Sequence, residues 1–389
     1  MPWFSSQDSI INALSNWQSF RYDFNKSMNP TTAAIAGEFH MTARWNGNPW
    51  PDALFNTGTN LLFQGVTDTT TNAASIQHGG DVQPTYYKSL ANMSAFTAAA
   101  TTAPCVAVLL DVIWFYYVTS VTTTTAQATT NTLGYGDTFT ADDTTDIITW
   151  TSTTNKPSNI LTGTRVQLTT TTTLPAGLSL ATNYYVIKLS DSTCKLATSY
   201  ANAIAWTAIN ITSTGTGTHT MSRLLPRYTN GAGVQAIIFN PAATALGAAT
   251  PNMSLGYTNS AQVASRATPT TLPIGKTAAS NNLIIYTGTW SGKYNYQMPL
   301  QSGDAGIAEI NTIQNSTSYV SGTYCVALVK EIARLPITTL GVAAERDLVN
   351  QLPSLPRIYD GAALYLAIGS STTTPANANF SGHITCVWN

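Results

Sequence analysis

Charge is what this sequence lacks most. Only 9% of its 389 residues are Asp, Glu, Lys or Arg, whereas about 25% is usual in a soluble domain. The 17 basic and 18 acidic side chains leave a net charge of −1, so the sequence carries no basic footprint for nucleic acid or for an anionic membrane. A nearly neutral surface also favours association. We therefore predict a protein that works through contacts with other proteins, with no nucleic-acid partner.

Long hydrophobic runs are also missing. The longest apolar run, residues 106–118, is interrupted by Asp111 and is shorter than the roughly 20 residues that a transmembrane helix needs. Residues 1–8 lack the basic stretch and the apolar run of a secretory signal. The sequence thus predicts no membrane partner and synthesis in a cytoplasm.

The cysteines are few and widely spaced, without any CxxC pair; they are Cys105, Cys194, Cys325 and Cys386. This spacing fits neither a disulfide framework nor a zinc site. We interpret the four residues as small buried hydrophobic side chains. A disulfide from Cys105 to Cys325 or to Cys386 is the alternative, because all three lie in strand-like segments.

Motifs that carry enzyme chemistry are absent. No GxSxG elbow of a serine hydrolase and no GxxxxGK[ST] phosphate loop occurs. His78-Gly79-Gly80-Asp81 is similar to an oxyanion motif, but without a nucleophile elbow it is better explained as a turn. A glycosidase would need two carboxylates across a sugar, and no pattern selects a pair among the four glutamates. We predict that the protein is not an enzyme, with no catalytic residue, cofactor-binding residue or cofactor.

Metal binding has one weak candidate. The four histidines are far apart and form no HExxH or HxH motif, so no transition-metal site is predicted. Several carboxylates on one loop could hold calcium, and residues 134–154 contain such a group: Asp137, Asp142, Asp143 and Asp146. Their spacing matches no EF-hand, and a solvated turn between strands is the favoured interpretation.

Apolar residues are plentiful enough for large cores, at 43% hydrophobic and 10% aromatic. Short segments rich in Thr, Val, Ile and Tyr, bounded by Gly, Pro and Asn, indicate strands. The clearest are residues 105–118, 234–240, 252–258, 283–286, 324–330, 363–369 and 383–388. Many short strands separated by turns predict an all-β sandwich or barrel.

Two short helices are expected beside the strands. Ile10, Leu14 and Trp17 recur at i, i+4 and i+7 after possible caps at Ser6 or Asp8. Residues 342–351 form the second predicted helix, which Pro353 ends.

Composition indicates an insertion. A Thr-rich stretch almost free of charge begins at residues 119–132, and a more typical mixture returns near Arg223. We predict a discontinuous β-sandwich body of residues 1–132 and 223–389 and an inserted β domain of residues 133–222. Strands of the insert are expected at residues 165–171, 184–189, 193–197 and 208–213.

Residues 165–221 resemble a small β module that recurs in structural proteins of tailed bacteriophages. The motifs LPAGL (174–178), YYVI (184–187), KLA (195–197) and GTGTHT (215–220) occur in the order and at the spacing of that module. The flanking halves are similar to a second family of phage virion proteins. They carry RYTNGAGVQA (227–236), LGYTN (255–259), LQSGDAGI (300–307) and VAAERDLVNQLPSLPRIYDGA (342–362).

These resemblances imply a non-enzymatic structural component of a phage particle. The expected role is a capsid decoration, cement or shell protein with a jelly-roll-like body, located in the virion and assembled in the bacterial host cytoplasm. Its expected partners are copies of itself, as a trimer by analogy with trimeric jelly rolls, and the major capsid protein or other virion proteins. The alternative is a host-recognition fibre or tail protein that binds glycans through the insert.

Aromatic residues near the N-terminus are candidates for the subunit interface, because aromatics are enriched at permanent interfaces. The predicted contact residues are Trp3, Phe4, Ile10, Leu14 and Trp17. The alternative is a stacking platform for carbohydrate or nucleic-acid bases, formed by Trp3, Phe4, Trp17, Phe20, Trp45 and Trp50.

Overall fold

The fold is given by a computed structural model, which describes residue 4 and residues 6–27, 39–41, 63–65, 76–82, 85–98, 103–118, 123–129, 135–151, 160–223, 225–239, 251–269, 283–284, 296–318, 324–351, 354–370 and 378–389. Three short helices lie in these ranges: α1 (Gln7–Ser15), α2 (Tyr200–Ile204) and α3 (Leu348–Gln351). None of the described helices is long and apolar enough to cross a membrane.

Strands make up most of the described secondary structure. The first eleven are β1 (Ser19–Ser27), β2 (Phe39–Met41), β3 (Phe63–Gly65), β4 (Lys88–Thr97), β5 (Cys105–Val118), β6 (Gln127–Ala128), β7 (Tyr135–Ala141), β8 (Ile148–Trp150), β9 (Arg165–Thr170), β10 (Tyr184–Lys188) and β11 (Thr193–Ala197). The others are β12 (His219–Arg223), β13 (Val234–Phe239), β14 (Met253–Asn259), β15 (Arg266–Ala267), β16 (Leu283–Ile284), β17 (Ile307–Asn315), β18 (Tyr324–Ile337), β19 (Ala344–Asp347), β20 (Arg357–Ile358), β21 (Leu364–Ser370) and β22 (Asn379–Trp388).

The centre of the body is a ring of strands. Its order is β18-β13-β16-β2-β21-β5, and β5 also pairs with β18, so the path of pairings returns to its start. Phe39, Leu110, Ile237, Ala327 and Tyr365, from five different segments, belong to one buried cluster inside this central ring. The ring therefore encloses a core of its own.

Two further sheets cover the outside of the central ring. The first flanking sheet has the order β1-β22-β4-β19, with β20 also paired to β4. It packs on β21 and the first half of β5, where Leu109 and Leu366 share a buried cluster with Met93. The second flanking sheet, β15-β14-β17-β6, packs on β13, where Ile238 shares a cluster with Leu255. The body is thus sandwich-like, with several stacked layers.

Strand β5 shows why its sequence is continuously apolar. Leu109 points to the first flanking sheet and Leu110 into the ring, so both faces of the strand are buried. A bulge opposite Leu328 and Val329 shifts the register, after which Tyr116 faces the second flanking sheet. An added residue in one strand reverses which face its later side chains occupy.

The segment from Tyr135 to Arg223 forms a closed six-stranded barrel in the order β10-β11-β8-β7-β12-β9. Its core alternates along the strands, as in β9, where Val166 and Leu168 are buried, and this period-two pattern is typical of strands. Tyr135 pairs with Arg223, so the barrel's two ends lie side by side.

The predicted all-β fold class is confirmed, with differences in detail. Residues 342–351 were expected to be one helix, but β19 and then α3 are observed, because residues 344–347 pair with β4 and tertiary pairing outweighs helix propensity. Helix α2 in the barrel was not predicted.

One predicted strand of the insert is wrong. Residues 208–213 form no ladder; instead the backbone N–H groups of Ile209 and Thr212 donate to the carbonyls of Leu196 and Ala176, at 2.8 and 3.0 Å. Single hydrogen bonds to β11 and to the turn at Ala176 satisfy these backbone groups without a strand.

The four cysteines are free and buried. Burial raises the pKa of the Cys105 and Cys386 thiols to about 12, so these side chains act as small apolar residues.

Candidate functional site

The calcium candidate is distributed over separate contacts. Asp137 is buried in β7 and paired with Arg223, and burial raises its pKa although Arg223 opposes this effect. Asp142 lies in the next turn and accepts hydrogen bonds from the backbone N–H groups of Thr144 and Thr145, at 2.8 and 3.3 Å, which lower its pKa. These two carboxylates are therefore engaged by different partners.

The other two carboxylates of this group have different surroundings. Asp143 is exposed, whereas Asp146 accepts a hydrogen bond from the Ile211 N–H at 2.8 Å and lies 3.9 Å from the Lys195 ammonium. Among the residues that the structure describes, no three His, Cys, Asp or Glu side chains form a group able to hold a metal ion.

The N-terminal helix presents part of the predicted interface. Ser6 caps α1 through a capping box with Ser9, and Ile10 is buried in the cluster beneath the first flanking sheet, with Phe4 packed against the same cluster. These two predicted interface residues therefore contribute to the chain's own core. Trp3, Trp45 and Trp50 lie outside the described residues.

Apolar side chains are exposed on α1 and just beyond its end. Ile11, Leu14 and Trp17 are 56%, 42% and 90% exposed, and we call these three residues the α1 patch. Trp17 has a φ of 59°, a left-handed conformation that costs a bulky residue roughly 1–2 kcal/mol. The chain thus holds an indole in solvent at a strained position just beyond the helix.

The barrel carries a comparable feature. Trp206 follows α2 with a φ of 60° and is 61% exposed. Ile204 and Leu180 of the barrel are also exposed, at 51% and 58%. Exposed aromatic side chains of this kind are enriched at interaction sites.

The strongest polar feature of the interior is a bidentate ion pair. Arg227 donates from Nε and Nη2 to the two carboxylate oxygens of Asp111, at 2.9 and 2.7 Å, and both side chains are buried. Arg227 also donates to the carbonyls of Gly361 and Val112, each at 2.8 Å, and Asp111 accepts from the Ala363 N–H at 3.0 Å. Charge in a dry interior is tolerated only with such complete pairing.

Aromatic and cationic groups extend this network towards β20. The Tyr228 and Tyr359 rings meet edge to face, with centroids 4.8 Å apart. The Arg357 guanidinium lies over the Tyr359 and Tyr87 rings, at 4.0 and 4.2 Å from their centroids. The RYTNGAGVQA and RIYDGA segments, which are distant in sequence, therefore meet around one buried ion pair.

A second network joins the LGYTN and LQSGDAGI segments. Asp304 accepts hydrogen bonds from Tyr257 Oη, Asn259 Nδ2 and Arg266 Nε, at 2.6, 2.7 and 3.0 Å. Burial raises the pKa of the Asp304 carboxyl, but these hydrogen bonds outweigh burial and lower the pKa to about 2. Through these hydrogen bonds, the Asp304 carboxylate attaches the connection before β17 to strand β14.

Two backbone segments approach each other closely at this connection. A Cβ on Gly306, whose φ is 154°, would lie 2.1 Å from the carbonyl oxygen of Gly231. Only glycine fits where two backbones approach so closely.

A third buried polar group lies under the first flanking sheet. Lys88 of β4, His78 and Asp360 are all buried, and the Lys88 Nζ lies 2.8 Å from His78 Nδ1 and 3.5 Å from Asp360 Oδ1. Gly79 and Gly80, next to His78, have φ values of 89° and 71°, which is the turn conformation that the Gly-Gly pair predicted.

Polar contacts join the barrel to the body. Arg165 of β9 forms a salt bridge with Glu309 of β17, in which Glu309 is 3% exposed. The Thr164 and Thr229 hydroxyls are hydrogen-bonded at 2.7 Å. Glu309 is therefore a structural anchor in this geometry.

Comparison of the chain with family models, with curated protein sequences and with solved structures gives no match. The buried ion pairs were missed at the sequence level. The available signal was Asp111, a lone carboxylate inside the most apolar run of a chain with very few charges.

Proposed function

We propose that this chain is a structural subunit of a bacteriophage particle, of the capsid decoration, cement or shell type, that works by association with its own copies and with the major capsid protein. The observation that supports this most directly is where the charges lie. Seven charged side chains are buried among the described residues: Lys88, Asp111, Asp137, Arg223, Arg227, Glu309 and Asp360. The surface is therefore even poorer in charge than the composition, and association is favoured.

The α1 patch is the proposed contact surface. Ile11 and Leu14 lie on a capped helix that is anchored in the core by Ile10 and Ala13, and Trp17 follows the end of that helix. A rigid aromatic group in solvent is the type of residue that dominates binding energy at interfaces.

The first experiment is a copy-number measurement. The protein is quantified in purified virions by gel densitometry against the major capsid band. Hundreds of copies per particle would agree with a shell or cement protein. A few dozen copies or fewer would instead indicate a fibre, and absence from purified virions would overturn the proposal.

The second experiment tests the α1 patch. Deletion of residues 1–20 would also remove Ile10 and Ala13 from the core, so point substitution is the cleaner test. Trp17→Ser should leave the fold intact and weaken incorporation into particles by about 30-fold, the effect of losing a contact of about 2 kcal/mol. Leu180→Ser, at an exposed apolar residue of the barrel, is the control; equal incorporation of both variants would exclude the patch.

The second candidate function is host recognition through the barrel. The observation that favours it is Trp206, an exposed indole held in a left-handed conformation. Glycan-array binding by the full chain, lost in Trp206→Ala and kept in Trp17→Ser, would favour this function over the first.

A further inference from the structure

The buried Lys88, Asp360 and His78 group has no part in the proposed contact surface. Lys88 lies in β4, where it pairs with Ile358 of β20 and Trp388 of β22, and Asp360 follows β20 by two residues. The Lys88 Nζ lies 3.5 Å from Asp360 Oδ1, and both side chains are 0% exposed. An amine and a carboxyl are thus held next to each other in a site without solvent access.

His78 is oriented as a proton acceptor for the amine. Its Nε2 lies 3.1 Å from the Ala362 carbonyl oxygen, and because a carbonyl can only accept, Nε2 carries the ring proton. The lone pair of Nδ1 therefore faces the Lys88 Nζ, at 2.8 Å. A neutral imidazole in hydrogen-bond contact with an amine can take up its proton.

The carboxyl of Asp360 is held by the backbone. The Val82 N–H donates to both of its oxygens, at 3.1 and 3.0 Å. A fixed N–H aimed at a carboxyl oxygen stabilises the negative charge that develops there when a nucleophile attacks the carbon. A base and an oxyanion donor therefore flank the reacting pair.

Burial disfavours the charged form of the Lys88 amine. Desolvation lowers the pKa of Lys88, although Asp360, Cys386 and Asp81 act in the opposite direction. Separated charges are costly in a dry interior, whereas an amide carries no net charge. Reactants held at contact distance also react without the entropy cost of an encounter.

We propose that Lys88 and Asp360 condense into an intramolecular isopeptide bond. A proton passes from the Lys88 ammonium to the Asp360 carboxylate, 3.5 Å away, and the free amine, hydrogen-bonded to His78 Nδ1, attacks Cγ to form the C–N bond. The C–O bond to the protonated oxygen then breaks, and the second amine proton leaves with that oxygen as water. One amide and one water replace one ammonium and one carboxylate, so no oxidant, reductant or further reactant is needed.

The bond would fasten β4 covalently to the connection between β20 and β21. That connection also supplies the Gly361 carbonyl and the Ala363 N–H to the Asp111 and Arg227 pair. Such a cross-link restricts the unfolded chain in the same way as a disulfide. It is independent of the proposed role in a particle.

Intact-mass measurement of the full purified chain is the test. The proposal expects a mass lower than that of the sequence by one water, and a branched peptide that contains both residues after digestion. A wild-type mass equal to that of the sequence overturns the proposal, whether or not any variant folds.

One other reaction must be distinguished, because Asp360 precedes Gly361 and an Asp-Gly pair can close to a succinimide with the same loss of water. Lys88→Arg keeps the positive charge but removes the amine that reacts, and its mass should equal that of its own sequence. A water loss that persists in Lys88→Arg, in a linear peptide, identifies the succinimide and overturns the isopeptide bond. His78→Gln should slow cross-linking by about 100-fold, so that a smaller fraction of the chain is cross-linked at a fixed time after synthesis. The bond remains chemically possible in this variant.

Discussion

The barrel and the body of this protein are stabilised in different ways. The barrel's strands follow one another between Tyr135 and Arg223, and its polar seam, Asp137 with Arg223, joins the first and last of them. The body instead pairs segments from both ends of the chain, and its central ion pair joins residues 116 positions apart. The barrel therefore closes within one stretch of the chain, whereas the body depends on buried contacts between segments that are far apart in sequence.

The largest expected effect comes from breaking the body's central ion pair. Arg227→Met leaves the buried Asp111 carboxylate without its guanidinium, and we expect the free energy of unfolding to fall by about 3–5 kcal/mol. Urea denaturation measures this fall. The double variant Asp111→Leu/Arg227→Met should recover most of it, because no unpaired charge remains.

Arg21→Met is the matched control for that experiment. Its partner Asp23 and Arg21 itself are 70% and 59% exposed, and exposed pairs contribute little. A fall for Arg227→Met no larger than that for Arg21→Met would contradict the view that buried charge holds the body together.

The next effect in size depends on pH. Burial lowers the pKa of His40 in the central ring to about 4, below the ordinary value of about 6.5. As pH falls from 6.5 to 4 the unfolded chain therefore takes up a proton that the folded chain does not, and stability falls by at most about 3 kcal/mol. His40→Gln should flatten the dependence of the unfolding free energy on pH in this window; an unchanged slope would assign the effect to other groups.

The smallest effect is expected from removing the barrel. Because Tyr135 and Arg223 are paired neighbours, a short Gly/Ser linker can replace residues 135–223 without pulling the body apart. Because the excision removes Arg165, the salt-bridge partner of Glu309, it is combined with Glu309→Gln. The body's unfolding free energy should then change by less than about 1 kcal/mol, as measured by denaturation against full-length Glu309→Gln.

A loss of cooperative unfolding in the excised chain would show that the barrel is part of the body's stability. The barrel would then not be an independent unit. Separate unfolding transitions in the full-length chain would instead show that barrel and body unfold independently.

Particular elements show how far the sequence could be interpreted. The all-β class and strands such as β5 and β11 follow from apolar runs and β-branched residues, and β11 was predicted with the bounds that are observed. Residues 342–351 have the composition of a helix, and their first half became strand only because β4 offers an edge there. Local propensity cannot anticipate a partner strand that lies far away in sequence.

The candidate sites, too, could be predicted only in part from the sequence. The spacing of Ile10, Leu14 and Trp17 indicated the N-terminal helix, but not that Ile10 turns into the core and Trp17 remains in solvent. The acidic group of residues 137–146 was visible in sequence, yet strand and turn geometry sends its members to different partners.

Composition and periodicity alone determined that this chain folds as β-sheets with scarcely charged surfaces, because those properties depend on residue type and on alternation along one strand. Tertiary structure alone decided which of the few charges are buried and which meet. Lys88 with Asp360 and Arg227 with Asp111 become pairs only when the sheets close, since contact between distant residues is a property of the whole fold.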